Sequence, residues 1–133
     1  MGYESKIYIT NVRRHKQEDG KVWAYAEIIA EFDLRKMGHS VGNSIDFCEL
    51  FTNPIDYTIY VPGVNENNNE CMVAKDTDGY GEHIKSGDIN RIITWLEREA
   101  EQDNYRRLKP LIGMLKGFNA DEWDDLQVIH YGH

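Results

Sequence analysis

Apolar and polar residues alternate most regularly between Lys21 and Leu34, in the sequence KVWAYAEIIAEFDL. Every second residue is apolar, over the six positions Ala24, Ala26, Ile28, Ala30, Phe32 and Leu34. A period of two predicts a β-strand with one face against a core. The three alanines leave room for a helix to pack closely, so we expect the helices that follow Asp88 to cover this face.

Helical spacing also fits this stretch, through Val22, Ala26, Ile29, Ala30, Leu34 and Met37, and Ala, Glu and Leu favour helices. We favour the strand because the even face is unbroken and because Asp19-Gly20, a turn signal, precedes it. Residues 5–12, SKIYITNV, are rich in β-branched and aromatic residues and predict a first strand. Together the two segments predict an N-terminal antiparallel hairpin.

The middle of the chain predicts short elements separated by turns. Residues 45–51 fit either one helical turn or a bulged strand. Apolar and polar residues alternate over residues 55–61, which predicts a strand. Residues 71–75 predict a second short strand that pairs with it across an asparagine-rich loop. Residues 76–81, DTDGYG, predict another turn.

The C-terminal third changes to helical spacing. Apolar residues recur with a helical period after Asp88, which predicts a helix there. Asp88 lies directly before this helix, so we expect its carboxylate to cap the helix N-terminus. A second helical face follows at 105–115, with a kink or a helix start at Pro110 and an end at Gly117. Residues 126–131 predict a last strand. The order predicts an α+β fold: a mostly antiparallel sheet with an N-terminal hairpin, packed by one or two C-terminal helices and closed by a terminal strand.

Composition limits the class of protein. The 133 residues suffice for one core, so we expect a single globular domain over residues 1–133. A formal net charge of −8 argues against direct binding to nucleic acid, which needs clustered Lys and Arg. Cys48 and Cys71 are too few for a disulfide framework and predict reduced thiols. The N-terminus lacks a signal-peptide pattern and no apolar run is long enough to span a membrane, so we expect a soluble, cytoplasmic protein.

Two groups of residues are candidates for contact with a protein partner. A short acidic segment encloses an aromatic residue, in the order Asp121, Glu122, Trp123, Asp124 and Asp125. An aromatic residue surrounded by carboxylates suits a basic partner, and the alternative is a short capped turn with Trp123 folded into the core. The odd-numbered face of the predicted second strand is the other group, with Tyr25, Glu27, Glu31 and Asp33. Its carboxylates also suit acid–base chemistry if they lie together.

Candidates for binding small ligands or metals are fewer. Arg13, Arg14, Arg106 and Arg107 are the cations that we would assign to an anionic ligand. Asp76, Asp78 and Glu82 lie in a Gly-bearing turn, but the third ligand before the Gly and the distal Glu of a calcium loop are missing. The chain contains no phosphate-binding glycine loop and no histidine-pair metal motif. We therefore predict neither a metal nor a cofactor, and we favour a protein that is not an enzyme.

The ends of the chain resemble small phage and prophage proteins of Gram-positive bacteria, through MGYESKIYI with YAEIIAEFDL and YRRLKPLIGMLKGF with VIHYGH. The resemblance implies an accessory protein in the cytoplasm of an infected or lysogenic cell. Our leading hypothesis is a noncatalytic acidic interaction protein that modulates a host or phage protein, for instance by inhibiting a defence nuclease. The alternative is a small-ligand binder, such as a nucleotide-sequestering protein. The hairpin edge also makes a homo-oligomer an expectation.

Overall fold

The computed structural model describes residues 5–34, 45–103 and 108–132, and it is an α+β fold. The strands and helices follow in this order: β1 (Ser5–Lys16), β2 (Val22–Asp33), α1 (Ile45–Cys48), β3 (Phe51–Pro54), β4 (Ile59–Val64), β5 (Glu70–Lys75), β6 (Lys85–Gly87), α2 (Ile89–Asp103), α3 (Leu108–Ala120) and β7 (Leu126–Gly132). The predicted hairpin, the two C-terminal helices and the terminal strand are all confirmed. Neither of the two longer helices in the described ranges has the length and apolar character that crossing a membrane requires.

Five strands form one sheet in the order β2-β1-β7-β6-β3, with every neighbouring pair antiparallel. The chain's last strand therefore lies beside its first. Strands β4 and β5 form a separate hairpin, joined across the asparagine-rich loop as the sequence predicted. The short strands β3 and β6 were not predicted as such, because three or four residues carry too little pattern to recognise.

Helix boundaries follow local chemistry. The Asp88 carboxylate accepts the backbone N–H of Asn90 at 2.8 Å, which confirms the predicted N-cap of α2. Pro110 lies in the first turn of α3, where its missing N–H would have no intrahelical partner. The prediction that Gly117 ends this helix is wrong, since α3 continues to Ala120. The part of the helical alternative for the second strand that reaches Met37 lies outside the described residues.

The sheet separates two hydrophobic cores. Ile7 and Ile9 of β1 and Val128 of β7 pack on one face with α1, α2 and α3, and we call this the helix core. Tyr8 and Val12 of β1 point to the opposite face, which we call the hairpin core. The hairpin core also contains these buried residues: Ala26, Ile55, Tyr57, Ile59, Val61, Ile84, Ile129 and Tyr131. Successive residues of one strand thus enter different cores, as the period of two requires.

A β-bulge divides the alternating face of β2 between these cores. Thr10 of β1 pairs with Ile28, whereas the adjacent Ile9 pairs with Ala30, so Ile29 is an extra residue. The bulge reverses which side the even-numbered residues face. Ala24, Ala26 and Ile28 therefore belong to the hairpin core, while Ala30, Phe32 and Leu34 join the helix core.

The expectation that the helices cover the whole even-numbered face is therefore wrong. The helices cover only its C-terminal half, together with Ile29, which the sequence had assigned to the other face. The odd-numbered residues are divided in the same way. Glu27 pairs with Asn11 on the helix side of the sheet, and Glu31 pairs with Tyr8 on the hairpin side.

Candidate functional site

Three aromatic rings stack on the outer part of the β1–β2 hairpin, and we call His15, Trp23 and Tyr25 the aromatic ladder. The ring centroids of His15 and Trp23 are 4.7 Å apart, and those of Trp23 and Tyr25 are 5.3 Å apart. The rings of His15 and Tyr25 are nearly parallel, at 5°. The Trp23 side chain is 45% exposed. Stacked, exposed rings form a flat apolar surface that is already ordered before any contact is made.

The hairpin that carries the ladder extends beyond the rest of the sheet, with regular pairing between its two strands. The β1–β7 pairing ends at Asn11, whereas β1 and β2 stay paired out to Lys16 and Val22. The turn is closed by the Gln17 N–H, which donates to the Lys21 carbonyl at 2.7 Å, and by Gly20 at a φ of 84°. Glycine suits that position because positive φ costs it nothing.

The acidic segment, Asp121–Asp125, lies beside the inner end of the ladder. Buried Asn11 fixes it in place: its amide donates to the Asp124 carboxylate at 3.2 Å and its oxygen accepts the Asp125 N–H at 3.1 Å. The Trp123 indole N–H donates to the Phe118 carbonyl at 2.9 Å, which closes the end of α3. A cavity of about 430 Å³ lies between this segment and β1, lined by Asn11, Arg13, Glu122, Trp123 and Asp124.

The two arginines of β1 neutralise part of this acidic surface. Arg13 lies 3.4 Å from the Glu27 carboxylate and 3.6 Å from that of Asp124. Its hydrogen bond with Tyr25 and the nearby carboxylates raise the pKa of the Arg13 guanidinium above its usual value. Arg14 is held between Asp125 and Asp56, and its bond to Asp125 is the main cause that raises its pKa. Both arginines are therefore already engaged by carboxylates of the chain.

The structure distributes the other predicted site residues more widely. Glu31 lies on the opposite face of the sheet, paired with Lys6 at 3.0 Å, and Asp33 is half-buried at the end of β2. Asp121 and Glu122 are exposed. Arg106 and Arg107 lie outside the described residues. The bulge thus separates Glu27 from Glu31, and these two carboxylates do not form a single acid–base pair.

The turn that contains Asp76, Asp78 and Glu82 is organised by its own backbone. The Asp78 carboxylate is buried and accepts the N–H groups of Tyr80 and Glu82, at 2.8 and 3.0 Å. Within the described ranges, no group of three or more His, Cys, Asp or Glu is arranged to hold a metal ion. The Asp78 side chain is therefore explained by turn formation.

A second, smaller cavity of about 220 Å³ lies next to this turn. It is lined by Cys48, Phe51, Asp78, Glu82, His83, Lys85 and His130. Burial raises the pKa of the Cys48 thiol, which keeps it protonated, and burial lowers the pKa of His130 to about 4. A protonated thiol is a poor nucleophile, so the arrangement does not favour thiolate chemistry.

Two of the three rings of the ladder, His15 and Trp23, were not among the predicted site residues. His15 and Trp23 are neighbours only through the register of the hairpin, which pairs them directly across the strands. The Asp19-Gly20 turn is the sequence feature that could have located them. In a hairpin closed by that turn, residues at similar distances before and after it, such as His15 and Trp23, lie close together on the paired strands. Comparison with models of protein families, with curated proteins and with solved structures found no match for the chain.

Proposed function

We propose that this chain is a noncatalytic interaction protein whose binding surface is the aromatic ladder together with the adjacent acidic segment. The observation that supports this most is the stack of His15, Trp23 and Tyr25, with Trp23 nearly half exposed on the outer part of a regularly paired hairpin. Exposed aromatic residues in ordered positions are the commonest centres of binding energy at protein interfaces.

Charge defines the class of partner. Glu27 follows Tyr25 on the same face of β2, and Glu122 and Asp124 line a cavity with Arg13, which pairs with Tyr25 across the hairpin. The chain has a net charge of −8. Such a surface attracts a basic segment, whose Lys or Arg side chains can stack on the rings while they approach the carboxylates. The resemblance to phage proteins extends the proposal: the partner is a host or phage protein in the cytoplasm, whose activity the bound chain modulates.

The proposal predicts that Trp23 is the centre of binding. Immobilised wild-type protein should retain a basic partner from a bacterial lysate, and Trp23→Ala should weaken that binding by roughly thirtyfold, the cost of losing an interface hot spot. Tyr60→Ala is the matched control, since Tyr60 is 48% exposed and lies on the separate β4–β5 hairpin. It should leave binding unchanged.

Salt and stability measurements make this test decisive. Rising salt should elute the partner, because screening weakens contacts between exposed charges. Thermal unfolding followed by circular dichroism should show that Trp23→Ala stays folded, since its ring is at the surface. Equal retention of the partner by wild type and Trp23→Ala would contradict the proposal, as would failure to retain any basic protein at low salt.

The smaller cavity beside Cys48 supports a second candidate function, the binding of a small polar molecule. Its lining combines Lys85 and His83 with Asp78 and Glu82, so it offers charges of both signs. At about 220 Å³ it is smaller than the usual 300–1,000 Å³ of drug-sized sites, which disfavours a nucleotide. A thermal-shift screen with small zwitterions tests this candidate, since a ligand of the folded state raises the melting temperature.

A further inference from the structure

The outward face of α2 forms a groove with a charge opposite to that of the whole chain. The groove has a volume of about 350 Å³ and is lined by Leu50, Asn90, Arg91, Thr94, Trp95 and Arg98. None of these lining residues is a carboxylate, although the chain contains 23 acidic residues and 15 basic ones. The groove is therefore a basic, partly apolar surface on an acidic protein.

The two arginines of this groove are not neutralised by the described part of the chain. Arg91 and Arg98 form no ion pair with any described residue, whereas Arg13 and Arg14 are each held by two carboxylates. Both side chains are exposed. With respect to the described residues, their charge is thus available to an incoming anion.

The spacing of the groove residues defines the shape of that anion. Arg91 and Arg98 are seven residues apart on one helix face, which separates them by about 10 Å along the axis. Trp95 lies between them, half-buried, with its ring 5.4 Å from that of Phe47. Leu50 supplies a further apolar side chain. Along the helix axis, the groove therefore presents the Arg91 guanidinium, the Trp95 ring and the Arg98 guanidinium in that order.

We propose that this groove binds an acidic segment of a partner protein in the polyproline-II conformation, with two carboxylates three residues apart and an apolar side chain between them. A polyproline-II helix has three residues per turn and rises about 3.1 Å per residue, so residues three apart lie on one face about 9 Å from each other, close to the roughly 10 Å between the arginines. Each guanidinium can hold one carboxylate in a bidentate pair, and the apolar side chain then covers Trp95 and Leu50. This surface is separate from the aromatic ladder and does not depend on it.

The test uses the full chain labelled with ¹⁵N and the peptide GSDLADSG, titrated at about 0.1 M salt. At that salt the Debye length is roughly 10 Å, which screens the repulsion between two acidic molecules but leaves contact pairs intact. Amide signals of residues 90–98 and the Trp95 indole signal should shift with saturation. GSNLANSG, which lacks the carboxylates, and GSDDLASG, in which they are adjacent, should bind at least about fivefold more weakly.

Matched variants decide whether the arginines are responsible. The double variant Arg91→Gln/Arg98→Gln should weaken binding of GSDLADSG by at least about fivefold. The control variant Lys21→Gln/Lys109→Gln removes the same amount of charge outside the groove and should leave binding unchanged. Equal binding by both double variants, or equal binding of the three peptides, would overturn the proposal. So would tighter binding of a thymidine octanucleotide, which would identify the groove as a phosphate site, or self-association that the arginine variant abolishes.

Discussion

His130 is the residue whose ionisation depends most on the fold. It lies on the helix side of β7, with its ring 5.3 Å from that of Phe51 and 6.1 Å from that of Phe47. Burial among these rings lowers its pKa from 6.5 to about 4, and the Asp78 carboxylate offsets only part of this effect. The folded protein therefore holds a neutral imidazole at neutral pH.

This shift predicts how stability depends on pH. The unfolded chain binds a proton at His130 near pH 6.5, whereas the folded chain does so only near pH 4, so acidification between these values favours unfolding. The contribution amounts to at most about 3 kcal/mol, which is present above pH 6.5 and is lost as the pH falls towards 4. Urea denaturation of wild type and His130→Phe across this range measures it. The variant should lose less stability on acidification, and identical curves would refute the assignment.

At the scale of elements, the second strand shows what a sequence pattern can establish. The alternation from Ala24 to Leu34 and the Asp-Gly turn predicted the strand and its hairpin. They did not predict the bulge, because Ile28 and Ile29 are both apolar and either satisfies the pattern. Only the register against β1, in which Thr10 and Ile9 pair with Ile28 and Ala30, reveals the extra residue. The division of one face between two cores followed from that register.

The bulge makes deletion of Ile29 a specific test. In a regular strand, removing one residue moves all subsequent side chains to the wrong face. Here it should restore regular pairing, with Ala30 still opposite Ile9 and Phe32 opposite Ile7. The deletion should therefore cost little more than Ile29→Ala, about 1–2 kcal/mol for loss of a partly buried side chain. Chemical denaturation compares the two variants. If Ile29→Ala folds but the deletion variant does not, the extra residue has another structural role.

At the scale of the whole molecule, contacts between distant segments determine the charge of the site. Sequence analysis identified the basic residues of the first hairpin and the acidic segment as separate candidates. It did not predict that Arg14 would pair with Asp125, because these residues are 111 positions apart and meet only when β7 lies beside β1. Arg13 and Arg14, two of the four arginines proposed as ligands for an anion, are thus held by carboxylates. Trp23 of the aromatic ladder stays exposed, as do Asp121 and Glu122 of the acidic segment.

The two cores are predicted to unfold together, because β1 and β7 contribute alternate side chains to both. Ile59 is fully buried in the hairpin core, and Ile59→Ala should lower the free energy of unfolding by about 2–4 kcal/mol. Trp95 reports on the helix core, and Trp23→Phe with Trp123→Phe leaves it as the only tryptophan. In that background, Ile59→Ala should shift the urea midpoint of Trp95 fluorescence as far as that of far-UV circular dichroism. An unshifted Trp95 transition would mean that the helix core folds without the hairpin core. Coincident shifts would mean that the shared strands couple the two faces into one cooperative unit.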